Sequence, residues 1–280
     1  MGFWDLFTKK KKEDNRIKLG LALGGGGVLG FSHIGALKAF EEYGIKFDYI
    51  AGTSVGSLVG ALYSNGLTSE DIMKKAAKLT VKDIKTNKIK FLPSKTDGIE
   101  NIIKSLLGDV EFKDLKLPFC AVAVDLISGK EVDIKQGNVA KAVAGSCAIP
   151  GVFDYVDFES FRLVDGGLRN TIPSDVVKAM GADFVVAIDC NPHRGYGTES
   201  TKLKDVLLAS LRIVMKSNAH KGRDFADVLI EPDSRKFRGA KLSAGEEMIL
   251  EGYNAALKQI PAIQRLLNIK IKKKNDELTK

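Results

Sequence analysis

Apolar and polar positions follow two periods along this chain, and together they predict a succession of short strands and amphipathic helices. Apolar runs and two-residue alternation predict strands at 17–23, 47–51, 118–124, 130–134, 161–164, 184–188 and 228–230. Spacings of three and four residues predict helices at 31–43, 57–63, 69–79, 97–107, 138–145, 174–180, 203–219 and 244–267. This alternation of strands and helices indicates an α/β fold.

The order of the elements predicts a three-layer α/β/α sandwich with a mainly parallel central sheet. A stretch without strands at about 66–117 predicts a helical insert directly after the second helix, and its basic linker, 82–95, is a candidate flap or wall of a site. We expect a single domain over 16–268, flanked by basic tails at 1–15 and 269–280.

Charge changes this picture mainly at the two ends. The chain has 43 basic and 35 acidic residues, a net charge of +8. Near the start, Phe3, Trp4, Leu6 and Phe7 precede four lysines, 9–12. Two interpretations stay open: solvated basic tails, and a weak, reversible contact with an anionic membrane surface. Since no basic patch is interleaved with aromatic residues, we expect no nucleic-acid partner.

Cysteine usage and hydropathy indicate the compartment. Cys120, Cys147 and Cys190 lie in apolar stretches and form no CxxC pair, which favours a reducing environment. No apolar run approaches the roughly 18 residues of a membrane span. The first charges follow a short apolar stretch, the reverse of a secretory signal. We therefore expect a cytoplasmic protein, with peripheral contact at a membrane as an open alternative.

The candidate chemistry centres on Gly52-x-Ser54-x-Gly56, which lies between a predicted strand and a predicted helix. A strand that turns sharply into a helix brings its backbone close to itself, and glycine on both sides of the turn avoids a clash of Cβ atoms. The residue at the apex is then exposed above the sheet in a strained conformation. This arrangement is the nucleophile elbow of hydrolases.

A glycine-rich loop, 24–30, follows the first strand and opens the first helix. Gly25-x-Gly27-x-x-Gly30 fits a dinucleotide-binding fingerprint, which requires an acidic residue at the end of the next strand. The elbow occupies that position instead. The other interpretation is an oxyanion hole, in which backbone N–H groups of successive glycines stabilise the negative charge of an acyl-transfer transition state.

A nucleophilic serine needs a base, and the chain has only three histidines, His33, His193 and His220. His33 lies on a helix flank, where a role in orienting the loop is favoured, and the other two have no strand-end context. Asp125, Asp165 and Asp189 do follow strands. Asp165 is singled out because two glycines follow it and permit close approach of another backbone.

These stretches, taken in order, resemble the patatin-like phospholipases. The resemblance is carried by Gly-Gly-Gly-x-x-Gly at 25–30, Gly-x-Ser-x-Gly at 52–56 and Asp-Gly-Gly at 165–167. The helix start Ser32-His33-Ile34-Gly35 and the stretch 146–153 are similar to the bacterial members. The resemblance covers about 16–190. Many members carry Arg or Lys just before the last glycine of the loop, where this chain has Leu29.

The resemblance implies a lipid acyl hydrolase that uses a Ser–Asp dyad through an acyl-enzyme, with Ser54 as nucleophile and Asp165 as base. It implies no metal and no organic cofactor, and a lipid ester at a membrane surface as substrate. We expect the Ser54 Oγ within about 2.6–3.2 Å of the Asp165 carboxylate, or somewhat farther without ligand. The oxyanion donors would be Gly25, Gly26 and Gly27, and the other motif glycines are Gly30, Gly52, Gly56, Gly166 and Gly167. A non-catalytic lipid-binding or scaffold protein on the same fold is the alternative from another class.

Overall fold

The structure is a computed structural model that describes residues 16–77, 97–192, 198–237 and 242–278. Three features predicted above lie outside the described residues. They are the tail at 1–15, the basic linker at 82–95 and His193.

Within the described ranges, each strand forms close to where the hydrophobic pattern predicts it. The strands are β1 (Leu19–Leu23), β2 (Tyr49–Thr53), β3 (Phe119–Asp125), β4 (Glu131–Ile134), β5 (Val156–Phe158), β6 (Phe161–Asp165), β7 (Phe184–Ile188) and β8 (Val228–Ile230). Only β5, a three-residue strand, was not predicted.

The α-helices of the same ranges surround these strands. They are α1 (Phe31–Glu42), α2 (Val55–Ser64), α3 (Ser69–Ala76), α4 (Asp97–Leu107), α5 (Val139–Ser146), α6 (Ser174–Ala179), α7 (Leu203–Ser217), α8 (Ala219–Asp224) and α9 (Gly245–Leu278). The range 203–219, predicted as one helix, is divided at Asn218 into α7 and α8.

The strands form one sheet. Hydrogen-bonded neighbours follow one another in the order β5–β6–β3–β2–β1–β7–β8, in which β6 and β2 both pair with β3, and β4 is a third partner of β3. The central pairs β3–β2, β2–β1, β1–β7 and β7–β8 are parallel. Antiparallel pairing is limited to the β3, β4, β5 and β6 region. The predicted α/β fold with a mainly parallel central sheet between helices is confirmed.

Side chains alternate across the sheet and create two cores. Leu21 and Leu23 of β1 face a large core that α1, α2 and α9 cover, whereas Ala22 between them faces a smaller core on the opposite side. Val176 and Val177 of α6 close the smaller core. Small residues on this face let α6 pack closely on the strands, and the sheet is therefore buried on both faces.

The pairing registers on β3 explain how distant parts of the chain meet. Thr53, the last residue of β2, pairs with Val122, and Asp165, the last residue of β6, pairs with the next residue, Ala123. Because β4 pairs with 121–124 along one edge of β3, β2 and β6 must share the other edge. The two strands run in opposite directions and meet end to end there.

The last helix is longer than the pattern predicted. Residues 269–278, predicted as part of a basic tail, continue α9 without a break. Two of their lysines pair with aspartates that directly precede strands β8 and β7: Lys270 pairs with Asp227 at 2.7 Å, and Lys274 pairs with Asp183 at 3.5 Å. These ion pairs anchor the end of the helix, which corrects the prediction of a tail for this segment.

Candidate active site

Ser54 lies at the sharp turn between β2 and α2. Its backbone has φ 54° and ψ −128°, a conformation that residues with a Cβ atom rarely adopt. Such a conformation costs of order 1–3 kcal/mol and persists only where the surrounding structure imposes it. The strand–turn–helix context predicted for the elbow is therefore present, with Ser54 at its apex.

Two glycines make this turn sterically possible. A Cβ on Gly52 would lie 2.4 Å from the carbonyl oxygen of Gly56. A Cβ on Gly56 would lie 2.1 Å from the carbonyl oxygen of Leu23, the last residue of β1. Both positions are limited to glycine because backbone, which cannot move aside easily, occupies the space.

Ser146, at the end of α5, fixes the turn to the sheet. Its hydroxyl donates to the Val122 carbonyl at 2.6 Å and accepts the Ser54 N–H at 2.9 Å. All three residues are buried. The Ser146 side chain thus continues the β2–β3 hydrogen-bond ladder by one step, at the point where β2 has already ended.

Asp165 ends β6 and is completely buried. Its Oδ1 accepts the Gly167 N–H at 2.9 Å, and its buried Oδ2 accepts no hydrogen bond within the described residues. The backbone passes close to β3 here, because a Cβ on Gly166 would lie 2.2 Å from the Val122 carbonyl oxygen. Gly166, the first of the two glycines after Asp165, therefore permits the close backbone approach that the sequence predicted.

Burial dominates the electrostatics of this carboxyl group. It raises the pKa of Asp165 to about 6, while the nearby Ser54 hydroxyl and the Gly167 N–H act in the opposite direction. The Ser54 hydroxyl is thus close enough to influence the carboxylate. The buried Oδ2 has no hydrogen-bond partner within the described residues, and the short contact between Ser54 Oγ and the Asp165 carboxylate stays a prediction.

Neither described histidine interacts with Ser54. His33 is fully buried, and its Nε2 donates to the Gly24 carbonyl at 2.8 Å. Burial lowers the pKa of His33 to about 4, against the opposing effect of this hydrogen bond, so the ring is neutral at physiological pH. His220 lines the same cavity as Ser54. His33 therefore positions the start of the glycine loop, as its place on α1 predicted.

The glycine loop connects β1 to α1, and its glycines line a cavity that Ser54 also lines. The Gly25 N–H donates to the Thr171 carbonyl at 3.0 Å, so it does not point toward a substrate, which corrects the prediction of Gly25 as an oxyanion donor. No bond from the Gly26 or Gly27 N–H to another described residue is present. Both glycines line the pocket, at the N-terminus of the short 3₁₀ helix Gly27–Gly30.

Leu29 shows how this loop is held without a basic residue. Its side chain is buried in a small apolar cluster with Cys190, Phe237 and Met248. The Ser32 hydroxyl caps the loop by donating to the Leu29 carbonyl at 2.7 Å. Apolar packing therefore fixes the loop at this position.

A cavity of about 610 Å³ opens above Ser54 and the glycine loop. This volume lies within the range of small-molecule sites, roughly 300–1,000 Å³. Much of its wall is apolar, contributed by Val28, Ile149, Val152, Leu208, Leu211 and Met215. An elongated apolar ligand would therefore have a complementary surface beside the serine.

The other two strand-end aspartates have structural roles. Asp189 accepts from the Asn191 N–H at 2.9 Å and pairs with Arg223 at 2.5 Å on the polar side of the cavity. Asp125 caps the turn after β3, where its Oδ2 accepts the Ser128 N–H at 2.9 Å. Asp165 is thus the strand-end carboxylate that reaches the elbow. No cluster of three or more metal-binding side chains occurs in the described part of the chain.

A family model described as patatin-like phospholipase matches residues 21–178. The match spans more than half of the 280 residues and includes the glycine loop, the elbow and Asp165.

The chain belongs to the patatin-like phospholipase family.

Curated relatives of this patatin-like chain are bacterial and animal. An uncharacterized NTE family protein of Mycobacterium bovis is 32% identical over 196 residues, which are 67% of this chain and 52% of that protein. Patatin-like phospholipase domain-containing protein 6 of Mus musculus is 33% identical over 182 residues, 61% of this chain and 13% of that protein. This chain therefore spans about half the length of the mycobacterial relative and a small part of the mouse protein.

Solved structures support the fold assignment of the patatin-like chain. VipD from Legionella pneumophila has a TM-score of 0.60 at 14% identity, over 90% of this chain and 67% of that one. Human GIVD cytosolic phospholipase A2 has a TM-score of 0.51 at 12% identity, over 93% and 60%. At these identities the likeness concerns the fold alone. In the described ranges, none of the helices combines the length and hydropathy needed to cross a bilayer.

Sequence reasoning missed two residues of this patatin-like site. Ser146 bridges the elbow to β3, and the Thr171 carbonyl engages the Gly25 N–H. Neither residue belongs to a sequence motif that by itself indicates a role in an active site. Ser146 does begin the stretch 146–153 that resembles the bacterial members, but its partners lie on strands that are distant in the sequence.

Proposed function

We propose that this protein is a serine acyl hydrolase that cleaves lipid esters, with Ser54 as nucleophile and Asp165 as base. One observation carries the proposal: a strained serine at the elbow lies beside a buried carboxyl group whose pKa is about 6, and no described histidine contacts the serine. An activated nucleophile requires such an adjacent base. Family membership supports the same chemistry.

In the acylation step, the Ser54 Oγ attacks the ester carbonyl carbon, and its proton moves to Asp165. The Oδ2 atom is the natural acceptor, because Oδ1 already accepts the Gly167 N–H. The carbonyl oxygen becomes an oxyanion, which the N–H groups of Gly26 and Gly27 stabilise. Each preorganised donor of this kind contributes about 2.7–4 kcal/mol. The ester C–O bond then breaks, and the leaving alcohol takes the proton from Asp165.

Deacylation repeats these steps with water. Asp165 removes a proton from a water molecule as its oxygen attacks the acyl carbon. The bond to Ser54 Oγ breaks, the serine regains the proton, and the fatty acid leaves. A carboxyl group with a pKa of about 6 suits both directions, because it is ionised at neutral pH and still basic enough to accept a proton.

The cavity favours lipid esters as the substrate class. Its apolar wall can accommodate an acyl chain, while Asp189, Arg223 and Glu231 form a polar, ion-paired side. Phospholipids and other lipid esters share this division into an apolar chain and a polar head. We therefore propose a phospholipase A or lysophospholipase type of reaction.

The first prediction tests whether Ser54 and Asp165 form a catalytic unit. Ser54→Ala and Asp165→Asn should each reduce hydrolysis of a soluble p-nitrophenyl ester by about a thousandfold or more, and the double variant should be little worse, because the two residues act together. A fluorophosphonate probe should label the wild-type protein and not Ser54→Ala. Human GIVD cytosolic phospholipase A2, which shares the fold, was solved with such a compound.

The same experiment separates the enzyme from a lipid-binding scaffold. A wild-type protein that binds phospholipid, yet neither reacts with the probe nor releases fatty acid by mass spectrometry, would support the scaffold. Full activity in folded Asp165→Asn would instead move the base to another residue.

A further inference from the structure

Helix α7 has an unusual outward surface. Leu203, Leu207 and Ile213 are 73%, 54% and 54% exposed. Val206 and Val214 on the same helix are also exposed. Large apolar side chains exposed singly are ordinary, whereas a contiguous group of them marks a surface that another phase or molecule covers.

These five residues form one stripe, which we call the outer α7 face. With 3.6 residues per turn, positions 203, 206, 207, 213 and 214 fall within one arc of about 120° around the helix, with the polar Ser210 between them. The opposite side of α7 lines the cavity with Leu208, Leu211 and Met215. The helix is thus apolar on two sides, and only the inner one is covered by the described protein.

The charges around this face point to an anionic partner. Lys202 and Lys204 lie at the N-terminal end of α7, whereas Arg212 and Lys216 of the same helix line the cavity. The one acidic residue of the helix is Asp205. The Asp205 carboxylate already accepts the Ser200 hydroxyl at 2.6 Å. An apolar stripe flanked by basic residues is the arrangement that binds in the plane of an anionic bilayer. Each nearby lysine or arginine contributes to attraction by acidic headgroups.

We propose that the outer α7 face docks onto the surface of an anionic lipid bilayer. The leucines, isoleucine and valines enter the boundary between headgroups and acyl chains, and Lys202 and Lys204 contact acidic headgroups. Since the inner side of the same helix lines the cavity, docking places the cavity within about one helix diameter, roughly 10–12 Å, of the lipid surface. The docking surface is independent of the dyad assignment.

Vesicle co-sedimentation tests this proposal. The full chain carrying Ser54→Ala is used, so that binding is measured without any hydrolysis. Vesicles of phosphatidylcholine with about a third phosphatidylglycerol are compared with phosphatidylcholine alone at low salt. The additional changes Leu203→Ser and Leu207→Ser should weaken binding to the mixed vesicles by about tenfold or more.

The chain offers a matched control in Leu250 of α9. Its side chain is 59% exposed, a fraction similar to the 54% of Leu207, but it lies on a different helix. Leu250→Ser should leave vesicle binding unchanged. A form that starts at Asn15 and lacks the basic N-terminal residues should still bind, which separates the outer α7 face from the tail.

Three results would overturn the proposal. They are equal binding by the Leu203→Ser/Leu207→Ser and Leu250→Ser proteins, loss of all binding in the form that starts at Asn15, and a wild-type dimer that the leucine changes convert to monomer in sedimentation velocity. The last result would assign the face to a second copy of this chain. Ester hydrolysis by the same variants on a wild-type Ser54 background distinguishes failure of docking from failure of the proposed function.

Discussion

The carboxyl group of Asp165, the base in the proposed mechanism, lies in an environment that is unfavourable for its charge. It is completely buried, and burial raises its pKa to about 6 from an ordinary value near 4. The folded state therefore binds a proton more tightly than the unfolded chain does. Above the folded-state pKa the group is ionised inside the protein, which reduces stability.

The second prediction follows from this linkage. Below pH about 4 the carboxyl is protonated in both states, so it does not affect relative stability; stability is lost as pH rises toward 6. Ionising a carboxyl group whose pKa is about 6 in the folded state and near 4 in the unfolded chain lowers the free energy of unfolding by about 3 kcal/mol. Asp165→Asn should thus unfold in urea at a higher concentration than wild type at pH 7–8.

The stabilising effect of Asp165→Asn should disappear near pH 4, where both proteins carry a neutral side chain at this position. Urea titrations at the two pH values provide the comparison. An Asn variant that is less stable than wild type at pH 8 would show that the carboxylate contributes net structural stabilisation.

The third prediction concerns Ser146, whose hydroxyl joins the Ser54 N–H to the Val122 carbonyl. Ser146→Ala leaves a buried donor and acceptor unsatisfied and allows the elbow to shift, so kcat for a soluble ester should fall by about tenfold with little change in KM. Ser146→Thr retains the hydroxyl and should restore most of the activity.

A purely structural role for Ser146 would give a different result. Ser146→Ala would then lower the melting temperature while kcat and the rate of fluorophosphonate labelling stayed at the wild-type level. The Thr variant keeps the comparison informative even where Ala reduces the yield of folded protein.

Strands were predicted more accurately than helix ends, and the reason is physical. Strand β7, buried on both faces, is a continuous apolar run and was predicted with its observed bounds, Phe184–Ile188. Strand β5 is an edge strand of three residues, with Asp157 exposed at its centre, too short to show a period. The end of α9 depends on ion pairs with Asp183 and Asp227, which local sequence does not reveal.

Ser54 and Asp165 were proposed from the sequence because the glycines next to them indicate places where two backbone segments lie close together. The availability of each oxyanion N–H could not be predicted in this way. Gly25 and Gly26 are adjacent and chemically identical, and only the position of the Thr171 carbonyl distinguishes them. Hydrogen-bond partners contributed by distant segments are set by tertiary structure.

The fourth prediction concerns the crossing of α1 and α9. A Cβ on Gly252 of α9 would lie 1.9 Å from the Ser32 carbonyl oxygen of α1, and one on Gly35 would lie 1.8 Å from the Ile249 carbonyl oxygen. The two helix backbones are therefore in contact. Gly252→Ala should separate them and destabilise the protein by about 1–3 kcal/mol, despite the higher helix propensity of alanine.

Gly245 provides the control on the same helix. The nearest atoms to a Cβ there belong to the Phe31 ring, at 3.0–3.2 Å, and a side chain can move aside. Gly245→Ala should therefore change the urea midpoint much less than Gly252→Ala. Equal midpoints for the two variants would show that the crossing adapts easily.

The whole molecule has a net charge of +8 and, in our proposal, one apolar face beside its cavity. Positive charge attracts the protein to anionic lipid over a distance that salt shortens. The apolar contact is not screened in this way. Electrostatic attraction and apolar insertion should therefore respond differently to ionic strength.

The fifth prediction uses this difference. When NaCl is raised from about 0.05 to 0.5 M, the Debye length falls from about 14 to about 4 Å. Hydrolysis of phosphatidylglycerol-containing vesicles should decrease several-fold, while hydrolysis of a soluble short-chain ester should be unaffected. A parallel decrease for both substrates would place the salt effect in the active site.

The end-to-end meeting of β2 and β6 along β3 has a consequence for the order of folding. A partly folded chain that has formed β1, β2 and α2 already has the elbow serine, but it lacks the base, which arrives on a strand from far along the sequence. Contacts between such distant segments close large loops and form late. Under the proposed mechanism, a partly folded chain therefore cannot hydrolyse lipid esters, and reactivity arises only when β6 completes the sheet.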